Sequence, residues 1–169
     1  MNGRMWHSRN GGHAQSAIVK TGAGTMQMNG QLAITNRPNR IVEGTFLLGA
    51  NGVTLGGAGI AANGDTDFSL EGGALVCATG TTNAAGTLAV KGDCTLSIGK
   101  GAAVSFANLT VADGKTLAVE YADGIDSRAV KVATALDAAT LSRITLNGRR
   151  AHQSSGGYLC AGGFMLIVK

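Results

Sequence analysis

The chain is short of charge, of aromatic side chains and of proline. Charged residues are 14% of the 169 positions, aromatics 4%, and the one proline is Pro38. Little charge beside 27 glycines resembles a disordered segment, but a hydrophobic fraction of 44% argues against disorder. No apolar run approaches the ~20 residues of a membrane-spanning helix, so no membrane insertion is expected. Met1 to Lys20 holds Arg4, His7, Arg9 and His13 without an apolar stretch, so it is not a signal peptide. Exported scaffolds need one, and the chain therefore reads as the C-terminal piece of a longer protein or as an internal start. The three cysteines, Cys77, Cys94 and Cys160, have neither zinc-knuckle nor CxxC spacing. Buried free thiols suit them, with a Cys77–Cys94 disulfide as the alternative. The basic residues do not interleave with stacking aromatics, which disfavours nucleic acid as a partner.

What the sequence does contain is a period. Met26, Phe46, Phe68, Leu88 and Leu109 follow one another in steps of 20, 22, 20 and 21 residues. Leu32, Val53, Leu75, Leu96 and Leu117 do so in steps of 21, 22, 21 and 21. A fixed repeat of this size is the mark of a solenoid, in which equivalent residues stack at about the 4.8 Å strand spacing of a sheet. Short runs such as 44–49, 86–90 and 115–119 alternate apolar and polar residues, as strands do. Asn29-Gly30, Asn51-Gly52, Asn63-Gly64 and Asp113-Gly114 supply turns. The inward candidates Leu88, Leu96, Val104, Leu109 and Leu117 give three short strands per turn, with a polar third-face position near Thr81 and Thr82.

The expected fold is all-β: a right-handed parallel β-helix of about 21 residues per turn with an antiparallel C-terminal cap. Residues 1–16 read as a polar lead-in, 17–124 as the solenoid and 125–169 as the cap. In the cap, Leu136–Leu141 suits one helical turn with Asp137 as N-cap. Ile144–Arg149 suits a hairpin, and Tyr158–Cys160 with Phe164–Val168 continue a meander. Charge is laid out as +5 over 1–42, −6 over 43–127 and +5 over 128–169. Such a layout can steer partners or favour end-to-end contact between copies.

Over residues 18–49, Ile18-Val19-Lys20-Thr21-Gly22-Ala23-Gly24-Thr25-Met26-Gln27-Met28-Asn29-Gly30, followed by Val42-Glu43-Gly44-Thr45-Phe46-Leu47-Leu48-Gly49, resembles the autotransporter-associated β-strand repeat. Met26 and Met28 replace leucines of that pattern, and Arg37-Pro38-Asn39-Arg40 departs from it. Residues 108–119 also look like late repeats of large secreted Gly-rich bacterial proteins. The resemblance implies a parallel β-helix in the passenger of a surface or secreted protein. It implies no enzyme.

Candidate chemistry is sparse. Asp65, Asp67 and Glu71 carry carboxylates suited to Ca²⁺, but the calcium β-roll nonapeptide is missing, and they read as solvated turn residues. Glu120, Asp123 and Asp126 read the same way. Lys91, Lys100 and Lys115 lie near Asp93 and Asp113 without a recognisable motif, and His7, His13 and His152 are scattered. No catalytic residue, cofactor or metal is assigned. The functional reading is a non-enzymatic scaffold, stalk or adhesin passenger at the cell surface or outside the cell, with surface glycans, proteins or other copies as partners. The rival is a fragment of a carbohydrate-active β-helix enzyme. A groove with three or more clustered acidic and basic side chains favours that rival; a flat Thr/Asn/Ser surface favours the scaffold.

Overall fold

The computed structural model describes residues 3–6, 17–28, 39–49 and 67–162. In chain order the first strands are Gly3–Trp6 (β1), Ala17–Lys20 (β2), Thr25–Met28 (β3), Asn39–Ile41 (β4), Thr45–Leu48 (β5), Phe68–Leu70 (β6) and Ala74–Cys77 (β7). Thr82–Val90 (β8), Cys94–Ile98 (β9), Ala103–Val111 (β10), Leu117–Tyr121 (β11) and Val130–Val132 (β12) follow. A helical turn, Ala138–Ser142 (α1), precedes Ile144–Leu146 (β13), Arg149–Gln153 (β14) and Leu159–Ala161 (β15).

The chain is all-β with two largely parallel sheets, and it passes through them alternately. The even-numbered strands β2 to β12, with β1 outside β2, make one sheet; the odd-numbered strands β3 to β13, with β14 and β15 beyond, make the other. Pairing from β2 through β13 is parallel in both sheets. Antiparallel pairing joins β1 to β2, β13 to β14 and β14 to β15.

Alternation along each strand builds columns between the sheets. In the odd sheet Met26, Phe46, Leu75, Leu96, Val119 and Leu146 are successive rung neighbours. In the even sheet Phe68, Leu88 and Leu109 are. Phe46, Leu75, Leu88 and Leu96 are wholly buried, and each such side chain contributes roughly 1.5–3 kcal/mol.

The two sequence series are therefore partly real and partly composite. Met26–Phe46 and Phe68–Leu88–Leu109 belong to different sheets, and Phe46 meets Phe68 across the core, ring centroids 5.8 Å apart at 61°. Phe46's rung neighbour is Leu75, 29 residues on, and Leu96's is Val119, 23 on, with Leu117 beside Cys94 instead. The spacing is 20 or 21 residues only where the connecting turns are short. Longer connections are hidden because inward apolar residues recur every second position, so a slip of two still lands on one. Leu32 and Val53 lie outside the described residues.

Strands β8 and β10 each hold two segments. Their inward residues are Asn83 and Ala85, then Leu88 and Val90, and likewise Val104 and Phe106, then Leu109 and Val111. A gap of three where two is the rule marks a bend in each strand. Asp67 Oδ1 accepts the Thr87 amide there at 2.7 Å. The polar third-face position is satisfied internally: Asn83 Nδ2 donates to Thr81 Oγ1 at 3.0 Å, and Thr81 Oγ1 donates to the Ala78 carbonyl at 2.7 Å.

At another corner the rungs approach too closely for any side chain. Gly44 and Gly73 both have φ +75°; a Cβ on Gly73 would lie 2.2 Å from the Gly44 carbonyl oxygen. β2 ends in a buried ammonium. Lys20 occupies an inward position, 3% exposed, beside Ile41, and its Nζ donates to the carbonyls of Thr21, Gly22 and Glu43.

The ends differ in part from expectation. Within the lead-in, Gly3–Trp6 is a strand paired with β2. Within 125–169, β12 and β13 still add parallel rungs, so antiparallel pairing begins only at Arg149. The hairpin turn is Asn147-Gly148, both at positive φ, and Asn147 Oδ1 accepts the Tyr121 amide at 2.8 Å. The expected helical turn is α1, with Asp137 Oδ1 accepting the Thr140 amide at 2.6 Å. Gln153 knits this region: its Nε2 donates to the Val132 and Thr134 carbonyls, and its Oε1 accepts the Leu136 amide. Phe164–Val168 lies outside the described residues.

Candidate functional site

Most acidic side chains of the described residues tie one pass of the chain to the next. Glu71 holds Arg40 through two contacts, 2.8 and 2.6 Å, and its carboxyl is held below the usual range chiefly by that guanidinium. Asp93 Oδ1 accepts the Thr116 amide and hydroxyl, which pulls its carboxyl down, and Lys115 Nζ lies 3.7 Å from its other oxygen. Asp113 pairs with Arg143, whose Nη1 also donates to the Val111 carbonyl. The structure thus separates Asp67 and Glu71 into different tasks, and Asp65 lies outside the described residues. Among the described residues no three His, Cys, Asp or Glu side chains converge as metal ligands.

Cys77, Cys94 and Cys160 are free thiols. Cys77 ends β7 and Cys94 begins β9, and their rung neighbours are Ile98 and Leu117, not each other. Burial pushes the Cys77 thiol up to about 12. Of the histidines, His152 lies on β14 and is exposed, and the other two are outside the described residues.

The second acidic group has a different setting. The connections from β7 to β8 and from β9 to β10 are four residues each, whereas β11 to β12 takes eight, Ala122 to Ala129. Between this longer loop and the 99–102 turn lies a cleft of about 390 Å³, whose lining includes Lys100, Tyr121, Asp123, Asp126 and Ser127. A shallower trough of about 390 Å³ adjoins it through Ile98, Gly99, Tyr121 and Ala122, and reaches Cys77 to Thr79 and Glu120. Lys100 Nζ sits 3.0 Å from Asp123 Oδ2, both well exposed, and Asp126 Oδ1 accepts the Arg128 amide at 2.8 Å.

Tyr121 stands at the junction of cleft and trough. It follows Leu117 and Val119 at an inward position, is 8% exposed, and its buried hydroxyl has no hydrogen-bond partner among the described residues. An unpaired buried hydroxyl costs about 1–3 kcal/mol. Burial, and then the charges of Asp126 and Cys160, push the phenol well above its ordinary value. Asn39 Nδ2 is unpartnered too, although its Oδ1 accepts the Ile18 amide at 2.9 Å. Sequence reasoning missed Tyr121 as a site residue. The signal was parity: a polar aromatic two positions after Val119, next to a loop rich in Asp and Gly.

The outward face of the odd sheet is different again. Thr25, Thr45, Ala74, Thr95, Ala118 and Thr145 form one rung-by-rung column of small side chains. Among the described residues the molecule therefore carries both a column of small outward side chains and a cleft with grouped charges. No family model, curated protein or solved structure matches the chain.

Proposed function

We propose that the chain is a length of right-handed β-solenoid, closed by its antiparallel C-terminal segment, that serves as a non-enzymatic scaffold at the cell surface or outside the cell. It would act as a stalk or adhesin-passenger segment, with surface glycans or proteins as partners. The observation that carries this reading is the alternation of chain passes between two parallel sheets, with inward residues neighbouring one another rung after rung. A short repeat of this kind makes a rod whose length grows by about 4.8 Å per coil. The engagement of Glu71, Asp93 and Asp113 in inter-coil ties supports the same role. So does the resemblance of residues 18–49 to the autotransporter-associated β-strand repeat.

The test of placement is immunolabelling of the cells that make the protein. Antibody against the chain should stain intact cells; staining only after permeabilisation would refute an exterior scaffold. The grouping of Lys100, Asp123 and Asp126 favours the carbohydrate-active alternative. Two of these charges are already paired with each other, and Asp126 is bound to a loop amide. Incubation with a panel of polysaccharides should release no new reducing ends, and steady release would make the chain an enzyme.

A further inference from the structure

We infer that the trough at the ends of β7, β9 and β11 is the docking groove for the chain's own segment Phe164–Val168. Three successive strands of the odd sheet end there, and residues 76–79, 97–99 and 120–122 line about 390 Å³. Val76 and Ala78 are half-buried and Ala122 is exposed, so the apolar wall is open to a partner. Glu120 is the one charged residue of the lining. A groove of this make-up takes an extended apolar segment rather than a charged one.

Direction, reach and charge select the occupant. β14 reverses against β13, and β15 reverses against β14, so β15 runs the same way as β11, β9 and β7. The Gly162 amide donates to the Arg150 carbonyl at 2.9 Å, and Arg150 lies opposite Thr145, the rung neighbour of Ala118. The chain therefore leaves Gly162 pointed at the corner where those three strands end. Cys160 Sγ lies 3.9 Å from the Ser127 carbonyl, which folds the cap back over the loop that begins at Ala122. Gly163-Phe164-Met165-Leu166-Ile167-Val168-Lys169 follows, outside the described residues. The glycine pair Gly162-Gly163 frees the chain to leave the strand direction and cross the rungs. Residues 163–168, extended, span roughly 20 Å. Three rungs are two strand spacings, about 10 Å, so the apolar run reaches across the trough. Lys169 then meets the rim at Glu120, which is exposed and makes no ion pair among the described residues. The short tether holds the segment at high local concentration, which favours it over the same segment of a second copy. Such docking needs neither the scaffold role nor a surface location.

The experiment is a methyl-resolved NMR measurement of through-space contacts in the full chain. Side chains of Phe164–Val168 should show contacts to the methyl groups of Val76, Ala78 and Ala122, unchanged when labelled chain is diluted into unlabelled chain. Contacts to β14 and β15 alone would overturn the assignment. So would contacts to the trough seen only between labelled and unlabelled chains, since the occupant would then be a second copy. Chymotrypsin gives an independent reading. Val76→Arg sets a charge on the trough wall at an outward position and should speed cleavage after Phe164 about tenfold, the worth of roughly one buried side chain. Slow cleavage after Phe46 and Phe106, both buried, shows that the variant stays folded. Equal cleavage after Phe164 in variant and parent would refute the docking, and the contact measurement on the parent decides the matter even where the variant unfolds.

Discussion

Gly73→Ala and Gly114→Ala form a matched pair that separates backbone strain from close packing between neighbouring rungs. Both glycines lie in the left-handed region, at φ +75° and +70°. Forcing an L side chain there costs about 1–2 kcal/mol. At Gly114 nothing lies within 4 Å of the new Cβ, so that cost is the whole effect. At Gly73 the Cβ would meet the Gly44 carbonyl oxygen at 2.2 Å and the Gly44 nitrogen at 2.8 Å. These are backbone atoms of the neighbouring rung and cannot rotate aside. Relief requires the rung to open by about 1 Å, which breaks the 2.8 Å bond from the Ala74 amide to the same carbonyl. A lost backbone bond adds about 1 kcal/mol, and overpacking about 1–3 more. Gly73→Ala should therefore lose about 4 kcal/mol, against about 1–2 for Gly114→Ala. At this chain length the melting points should fall by about 12 °C and about 5 °C. Urea denaturation at constant slope gives the same comparison in free energy. Equal losses in the two variants would mean that Gly73 is not pressed against Gly44, and the stacking geometry would fall with it.

Three further outcomes follow from the same contacts. Gln153→Leu removes hydrogen bonds at 2.7, 2.9 and 3.0 Å and a long one of 3.5 Å to the Gly157 carbonyl, and should cost about 2–3 kcal/mol, seen as faster amide exchange across residues 130–136; unchanged exchange there would contradict the clamp. The Glu71 carboxyl is held below its ordinary 4.5 by Arg40, so its contribution is present above that pH and lost as pH falls through the folded value. Melting temperature should drop on acidification, less steeply in Arg40→Gln, and parallel profiles would show the pair to be idle. The Cys77 thiol, raised from 9.0 to about 12, stabilises the fold below pH 9 and loses that contribution as pH rises toward 12. Cys77→Ala should flatten the alkaline decline of the melting curve, and an unaltered decline would place its origin elsewhere.

How much was legible in the sequence follows from which signals are local. The short alternating runs read directly as strands, because inward and outward residues differ along a single chain. The Asp137 cap, the α1 turn and the Asn147-Gly148 hairpin were legible for the same reason: each depends on neighbours within a few residues. Register was not, since it depends on connection length. Phe46 and Phe68 looked like successive stack members but face each other from opposite sheets. Leu117 looked like the partner of Leu96, yet Val119 holds that place. A period-2 pattern tolerates a two-residue slip without changing any residue's face. The candidate site was half legible. Asp123 and Asp126 stand out as acids flanking Gly124-Ile125, but the cleft exists because a connection doubles in length beside the 99–102 turn, which a sequence shows only after register is known. Lys20 stands in the sequence as part of the repeat motif and of the basic start; its burial follows from its inward parity two residues after Ile18.

The central claim is that successive strands of each sheet bond to one another in parallel, rung by rung. Scalar couplings across hydrogen bonds, measured by NMR on isotope-labelled protein, report each amide's acceptor directly. The Ala74 amide should couple to the Gly44 carbonyl, Thr95 to Gly73, Gly99 to Cys77 and Asn147 to Val119. Couplings from these amides to carbonyls of strands adjacent in sequence, as an antiparallel meander would give, would contradict it.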